Sequence, residues 1–118
     1  MKILITGGAG FLGINLGREV LKRKHDLFIF DNLLRKGAKE NIKWLASKGN
    51  FSFREGNIES FKDINEFINK IKPEAIFHLA GQVAMTTSIE NPIKDFNINA
   101  LGSLNLLESV KINLKQTP

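Results

Sequence analysis

Residues 3–13 read Ile-Leu-Ile-Thr-Gly-Gly-Ala-Gly-Phe-Leu-Gly. The run Lys2 to Thr6 is continuously apolar from Ile3 and is stopped by glycine, as in a strand buried on both faces of a parallel sheet. Phe11, Leu12, Leu16, Val20 and Leu21 then recur at helical spacing. The glycines at 7, 10 and 13 therefore fall in a strand-to-helix turn. Gly7 permits the sharp exit, Gly10 leaves no side chain over the turn, and Gly13 lets the helix lie close on the sheet. By itself the triplet is only a tight turn. Its surroundings decide what it is for.

Reading onward, Leu27 to Phe30 is a second short apolar run, closed by Asp31 and Asn32. Asn41 to Lys48 reads as a helix stopped by Gly49 and Asn50, and Phe51 to Arg54 as a weaker strand. Ser60 to Lys72 puts Phe61, Ile64, Phe67, Ile68 and Ile71 on one helical face, with Ser60 as N-cap and Pro73 beyond the end. Glu74 to His78 holds a further strand. A last helix starts at Asn91-Pro92, with proline at its favoured first position, and runs to about Leu114. Strict strand–helix alternation predicts right-handed crossovers and a parallel sheet. The expected class is α/β, a Rossmann-type doubly wound sheet of about four strands and four helices. That fold normally carries further strands, so the chain is expected to be a truncated, N-terminal part of it. Residues 1–114 form the domain and 115–118 a tail.

Composition narrows the classes. The chain has 118 residues, enough for one domain with a real core. It has no cysteine, which removes disulfides, thiolate chemistry and cysteine-based zinc sites. No metal site is expected, and the cytosol is the expected compartment. No apolar run nears the roughly 18 residues of a membrane span, and no signal peptide or membrane contact is expected. The net charge of +5 suggests an anionic partner. The cations are scattered, however, and the one tight run, Lys22-Arg23-Lys24, suits a helix C-terminus. No arginine stripe with stacking aromatics appears, so nucleic acid is not an expected partner.

Asp31 gives the glycine turn its meaning. It closes the second strand about 20 residues after the turn, where a carboxylate would accept hydrogen bonds from an adenosine ribose. Strand, glycine turn, helix and acidic residue together predict a dinucleotide site, with the diphosphate on the helix N-terminus. The charge of Asp31 favours NAD over NADP. Arg35, four residues on, could pair with a 2′-phosphate and pulls the other way; NAD is the expected cofactor. Asn57-Ile58 lies where a side chain could reach the adenine edge, although Gly56-Asn57 also fits a plain polar turn. Leu79-Ala80-Gly81 would let the backbone approach the cofactor at the carboxyl edge of the sheet.

Residues 6–13, Asp31-Asn32, Gly56-Asn57-Ile58 and His78-Leu79-Ala80-Gly81 resemble the extended short-chain dehydrogenase/reductase family and its NAD-dependent nucleotide-sugar epimerases and dehydratases. Arg35-Lys36-Gly37-Ala38, Trp44-Leu45, Gly49-Asn50-Phe51 and above all residues 80–89 resemble the members that act on CDP-sugars. The resemblance implies that Gly7, Gly10, Phe11 and Leu12 hold the diphosphate, with Gly13 packing the helix behind them. It implies that Asp31 and Asn32 hold the ribose, that Asn57 and Ile58 flank the adenine, and that Leu79, Ala80 and Gly81 line the nicotinamide half. Gln82, Val83, Met85, Thr86 and Thr87 would border the sugar. Asn99 would steady the active-site helix, and a polar residue midway along an apolar helix does want a partner.

Two positions depart from the family pattern. Position 57 is usually aspartate. The family also uses a Tyr-x-x-x-Lys pair, and this chain has no tyrosine; no catalytic residue is expected within it. Relatives acting on UDP- or dTDP-sugars, and a non-catalytic nucleotide-binding module, are the alternatives. An exposed apolar flank on the last helix would favour a homo-oligomer.

Other residues read as structural. His78 is expected to be a partly buried structural histidine and His25 an exposed one. Trp44 and Phe51 are expected to close the core, and Asp63, Glu66 and Lys70 to form a solvated helix face. Thr87 and Ser88 read equally as substrate-side hydroxyls or as capping or turn residues ahead of Asn91-Pro92.

Overall fold

The structure, a computed structural model, describes residues 1–81 and 89–115. Chain order is β1 (Lys2–Thr6), α1 (Phe11–Lys22), β2 (Asp26–Asp31), α2 (Ala38–Ala46), β3 (Ser52–Glu55), α3 (Phe61–Ile71), β4 (Ala75–His78), α4 (Pro92–Phe96), a π-helical segment (Asn97–Leu101) and α5 (Gly102–Asn113). The last helix expected from sequence thus exists but is interrupted. All strand pairs are parallel, in the order β3-β2-β1-β4. This is the α/β, Rossmann-type sheet that the alternation predicts.

Side-chain alternation along the strands builds two cores. Ile3 and Ile5 of β1 and Leu27 and Ile29 of β2 pack with Ile14 and Val20 of α1 and Leu45 of α2. Leu4 and Phe30 point to the other face and pack with Ile64, Phe67, Ile68 and Ile71 of α3 and with Leu106 and Val110 of α5. Both faces are covered, which is why the strands read as unbroken apolar runs. The caps agree with the sequence. Ser60 Oγ accepts the Asp63 amide at the start of α3, and Asn91 Oδ1 accepts the Lys94 amide at the start of α4, with Pro92 following.

Three expectations need revision. Trp44 does not close the core; it is 39% exposed, flanked by Arg18 and Lys48 at 5.8 and 5.2 Å from its ring. Its neighbour Leu45 is the residue that faces inward, packed against α1 and β2; α2 itself starts at Ala38, three positions before the expected Asn41. Asp63 and Glu66 are not merely solvated. Arg54 reaches from β3 to both, and Asp63 also accepts the Asn57 amide at 3.0 Å. Phe96 of α4 and Leu104, Leu107 and Ile112 of α5 are exposed, the apolar flank expected from sequence.

The strand order decides where a site can be. The chain steps outward from β1 to β2 to β3, and α3 then carries it back to β4 on the far side of β1. The crevice between β1 and β4, at their carboxyl ends, is the switch point where ligands of this architecture sit.

Leu45→Ala is expected to destabilise the chain by about 2–5 kcal/mol, whereas Trp44→Ala, at a half-buried surface ring that leaves no enclosed cavity when removed, is expected to cost less. Urea unfolding of both variants measures this; a larger cost at Trp44 would overturn the placement.

Candidate functional site

The glycine turn is built by close approach. Gly7 has φ +70°, and a Cβ there would lie 2.7 Å from the Ala80 nitrogen. Its backbone thus touches the exit of β4, where no other residue fits. A Cβ on Gly13 would come within 2.5 Å of the Gly7 carbonyl, so α1 also sits directly on the turn. Gly10 is different: only the Gly7 carbonyl, at 3.5 Å, and Arg35 Nη1, at 3.9 Å, lie near its missing Cβ.

The turn is clamped from outside. Asp31 Oδ2 accepts the Ala9 amide at 3.0 Å, Asn41 Nδ2 donates to the Ala9 carbonyl at 2.8 Å, and Asp31 Oδ1 accepts the Leu33 amide at 2.8 Å. Asp31, expected as a ligand group, is thus also a clamp on the backbone. A carboxylate offers about four acceptor sites, so two backbone amides leave it capacity for a ligand's hydroxyls. Asn32 holds the next turn, accepting the Leu34 amide.

A cleft of about 330 Å³ opens at this point, lined among others by Gly7, Gly10, Asp31, Asn32, Arg35, Ile58, Leu79, Ala80, Gly81 and Lys94. This size falls in the range of small-molecule sites, about 300–1,000 Å³. All of these but Lys94 are residues expected from sequence, and they meet here. Phe11, Leu12, Gly13, Asn57 and Asn99 do not line it. Phe11 is 81% exposed at the start of α1. Asn57 Oδ1 accepts the Glu59 amide, the polar-turn arrangement. Asn99 lies in the π-helical segment, donates to Asp95 Oδ1, and places its Oδ1 3.1 Å from where a Gly81 Cβ would be. Gln82, Val83, Met85, Thr86 and Thr87, with Ser88, lie outside the described residues.

Several residues that shape the cleft carried no signal in the sequence. Lys94 lines it and pairs with Glu59 Oε2 at 2.8 Å, joining α4 to the loop after β3. Asn105, buried in α5, donates to the Ile58 carbonyl, and a Cβ on Gly102 would lie 2.9 Å from the Ile58 side chain. Thr6, fully buried at the end of β1, meets His78 Nδ1 at 2.6 Å and accepts the Ala80 amide. Among the described residues no group of three or more His, Cys, Asp or Glu side chains could hold a metal, and no helix is long and apolar enough to cross a membrane.

The donor set fits a dinucleotide. Gly10, the N-cap of α1, supplies no side-chain cap, so the first-turn amides are left for an outside acceptor. A Cβ at Gly10 would fill the space beneath Arg35 that an anion needs. A glycine turn at a helix N-terminus, a cation above it and an acidic residue ending the next strand define a nucleotide-binding α/β domain.

The comparisons give the family. The model for GDP-mannose 4,6 dehydratase matches residues 4–117, and the chain belongs to that family. It is 58% identical over 111 residues to the CDP-paratose 2-epimerase of Salmonella typhi, covering 94% of this chain and 33% of that protein. The UDP-Glc/GlcNAc 4-epimerase structure from Campylobacter jejuni superposes with a TM-score of 0.88 at 35% identity, over 95% of this chain and 34% of that one. The UDP-glucose 4-epimerase of Thermus thermophilus, crystallised in complex with NAD, gives 0.84 at 30% identity, over 96% and 34%. The chain thus spans about a third of the length of these relatives.

Burial lowers the pKa of His78 below its ordinary value of 6.5. As pH falls through about 6.5 the unfolded chain therefore takes up the proton first, and stability present above that pH is lost until the folded form protonates too. Denaturation at pH 7.5 and 5 should show this loss, and His78→Gln should lack that increment. An equal pH dependence in both proteins would contradict the assignment.

Proposed function

We propose that this chain is the NAD-binding portion, residues 1–114, of a cytosolic nucleotide-sugar epimerase that acts on a CDP-sugar in polysaccharide biosynthesis. The observation that carries the reading is the uncapped start of α1, open at Gly10 beneath Arg35 and flanked by Asp31. Gly7, Gly10 and the amides of Phe11, Leu12 and Gly13 would hold the diphosphate, with Arg35 neutralising its charge. Asp31 and Asn32 would hold the adenosine ribose. Ile58 would pack on the adenine, with Asn57 shaping its turn. Leu79, Ala80 and Gly81 would line the nicotinamide half, and Asn99 would steady Gly81. Residues 82–87 would border the sugar. The high identity to an epimerase of a CDP-sugar supports that substrate class over UDP-sugars.

Bound NAD would supply transient oxidation at C2 of the sugar, by accepting and returning a hydride. What these residues contribute is binding and orientation. The carboxylate of Asp31 opposes a 2′-phosphate, which supports NAD over NADP. The chain has no tyrosine and so lacks the Tyr-x-x-x-Lys pair by which this kind of enzyme moves the proton.

A thermal melt tests the reading. NAD at a hundred times its Kd should stabilise the chain by about 2.7 kcal/mol, raising Tm by several degrees, while NADP at the same concentration does so far less. No shift with either nucleotide would remove the reading. The chain alone should not epimerise a CDP-sugar; turnover would show that the chemistry needs no tyrosine.

A further inference from the structure

Four hydrogen bonds run in one direction from the cleft loop to the last helix. The Ala80 amide donates to Thr6 Oγ1 at 3.3 Å, and Thr6 Oγ1 meets His78 Nδ1 at 2.6 Å. His78 Nε2 meets Ser103 Oγ at 3.2 Å, and Ser103 Oγ donates to the Asn99 carbonyl at 2.6 Å. Their polarity follows from the far end. A carbonyl can only accept, so the Ser103 hydroxyl has given away its one proton and can only accept from the imidazole. Nε2 therefore carries hydrogen. In the neutral ring Nδ1 is then a bare acceptor, and the Thr6 hydroxyl, already receiving the Ala80 amide, donates to it. Each hydrogen is used once. A protonated ring would turn Nδ1 into a donor facing the Thr6 proton. The groups on the two nitrogens, Thr6 from β1 and Ser103 from α5, are both uncharged, so nothing there would compensate that charge.

The two ends of this chain are the two walls of one place. Ala80 and Gly81 line the cleft, and Asn99 lies against Gly81 from the π-helical segment. That segment is an irregularity of a kind common at functional sites. Ser103 bonds back to the i−4 carbonyl within it, a contact that bends helices.

We propose that His78, acting through Thr6 and Ser103, is a positioning residue that locks the π-helical segment carrying Asn99 onto the loop Leu79–Gly81 and so sets the shape of the cofactor cleft. The inference rests on the reading that this cleft takes NAD. Nothing in the arrangement requires His78 to touch the cofactor.

The test compares Ser103→Ala with Ser109→Ala. Both remove a hydroxyl from α5 that bonds an i−4 carbonyl, but the carbonyl that Ser109 takes, Asn105, lies within α5 and not in the π-helical segment, and Ser109 has no bond to His78. The expected result is a fall in NAD affinity of about tenfold and faster amide exchange at Ala80 and Gly81 in Ser103→Ala. Ser109→Ala should lower Tm with neither effect, and Ser103→Thr should restore both. Equal NAD affinity and equal exchange in the two alanine variants would overturn the proposal. Nitrogen NMR of the unmodified chain needs no variant: a bare Nδ1 and protonated Nε2 on His78 are expected, and the opposite tautomer would overturn the relay. If the unmodified chain fails to bind NAD, the cofactor reading falls, while the exchange rates and the tautomer still judge the relay.

Discussion

The structure depends on one close approach, that of the Gly7 backbone to the peptide between Leu79 and Ala80. A methyl group on Gly7 would overlap both, and its positive φ would strain any other residue. Because this approach is possible, β1 and β4 can leave the sheet side by side and diverge on opposite faces. The crevice between them is the site. The amide of Gly7 meanwhile donates to the Phe30 carbonyl, so the same residue ties the exits of β1 and β2 together. Three strand ends are fixed around one side-chain-free position.

Around that position the site is held by second uses of its own groups. Asp31 faces the cleft, yet both its oxygens already hold backbone amides, one in the glycine turn and one in its own loop. Its negative charge is thus pre-oriented before any ligand arrives, which lowers the ordering cost of binding. On the other wall α5 reaches both loops at once: Asn105 holds the Ile58 carbonyl, and Ser103 reaches Ala80 through His78 and Thr6. Buried hydroxyls and amides that are fully paired specify a single arrangement, where an apolar contact would tolerate sliding. No buried side-chain nitrogen or oxygen among the described residues lacks a partner.

Charge plays a smaller and more local part than the basic composition suggests. The cations that matter are Arg35 and Lys94, both on the cleft. Lys94 spends its charge on Glu59, leaving Arg35 as the one that faces Gly10. Arg18 of α1 and Lys48, just past the end of α2, rest on Trp44 at the surface. The remaining cations are divided between helices, such as Lys62 and Lys70 of α3, and the turns and strands between them, such as Lys24 and Lys36.

The sequence by itself determined the sheet and its central turn. Apolar runs of strand length, glycines at 7, 10 and 13 and an acid at 31 are local signals, each set by what a strand, a tight turn or a helix demands of its own residues. The caps at Ser60 and Asn91 were legible for the same reason. Only the tertiary structure decided which way Asn57 turns, that Leu45 and not Trp44 fills the core, and that Asp31 clamps Ala9. It alone brought Thr6 to His78, 72 residues apart, and His78 to Ser103, 25 apart. Those pairings leave no periodic trace, because a hydroxyl or an imidazole is compatible with a strand end or a helix anywhere. What selects its partner is the crossing of elements in space, which the strand order imposes and no local run of residues encodes.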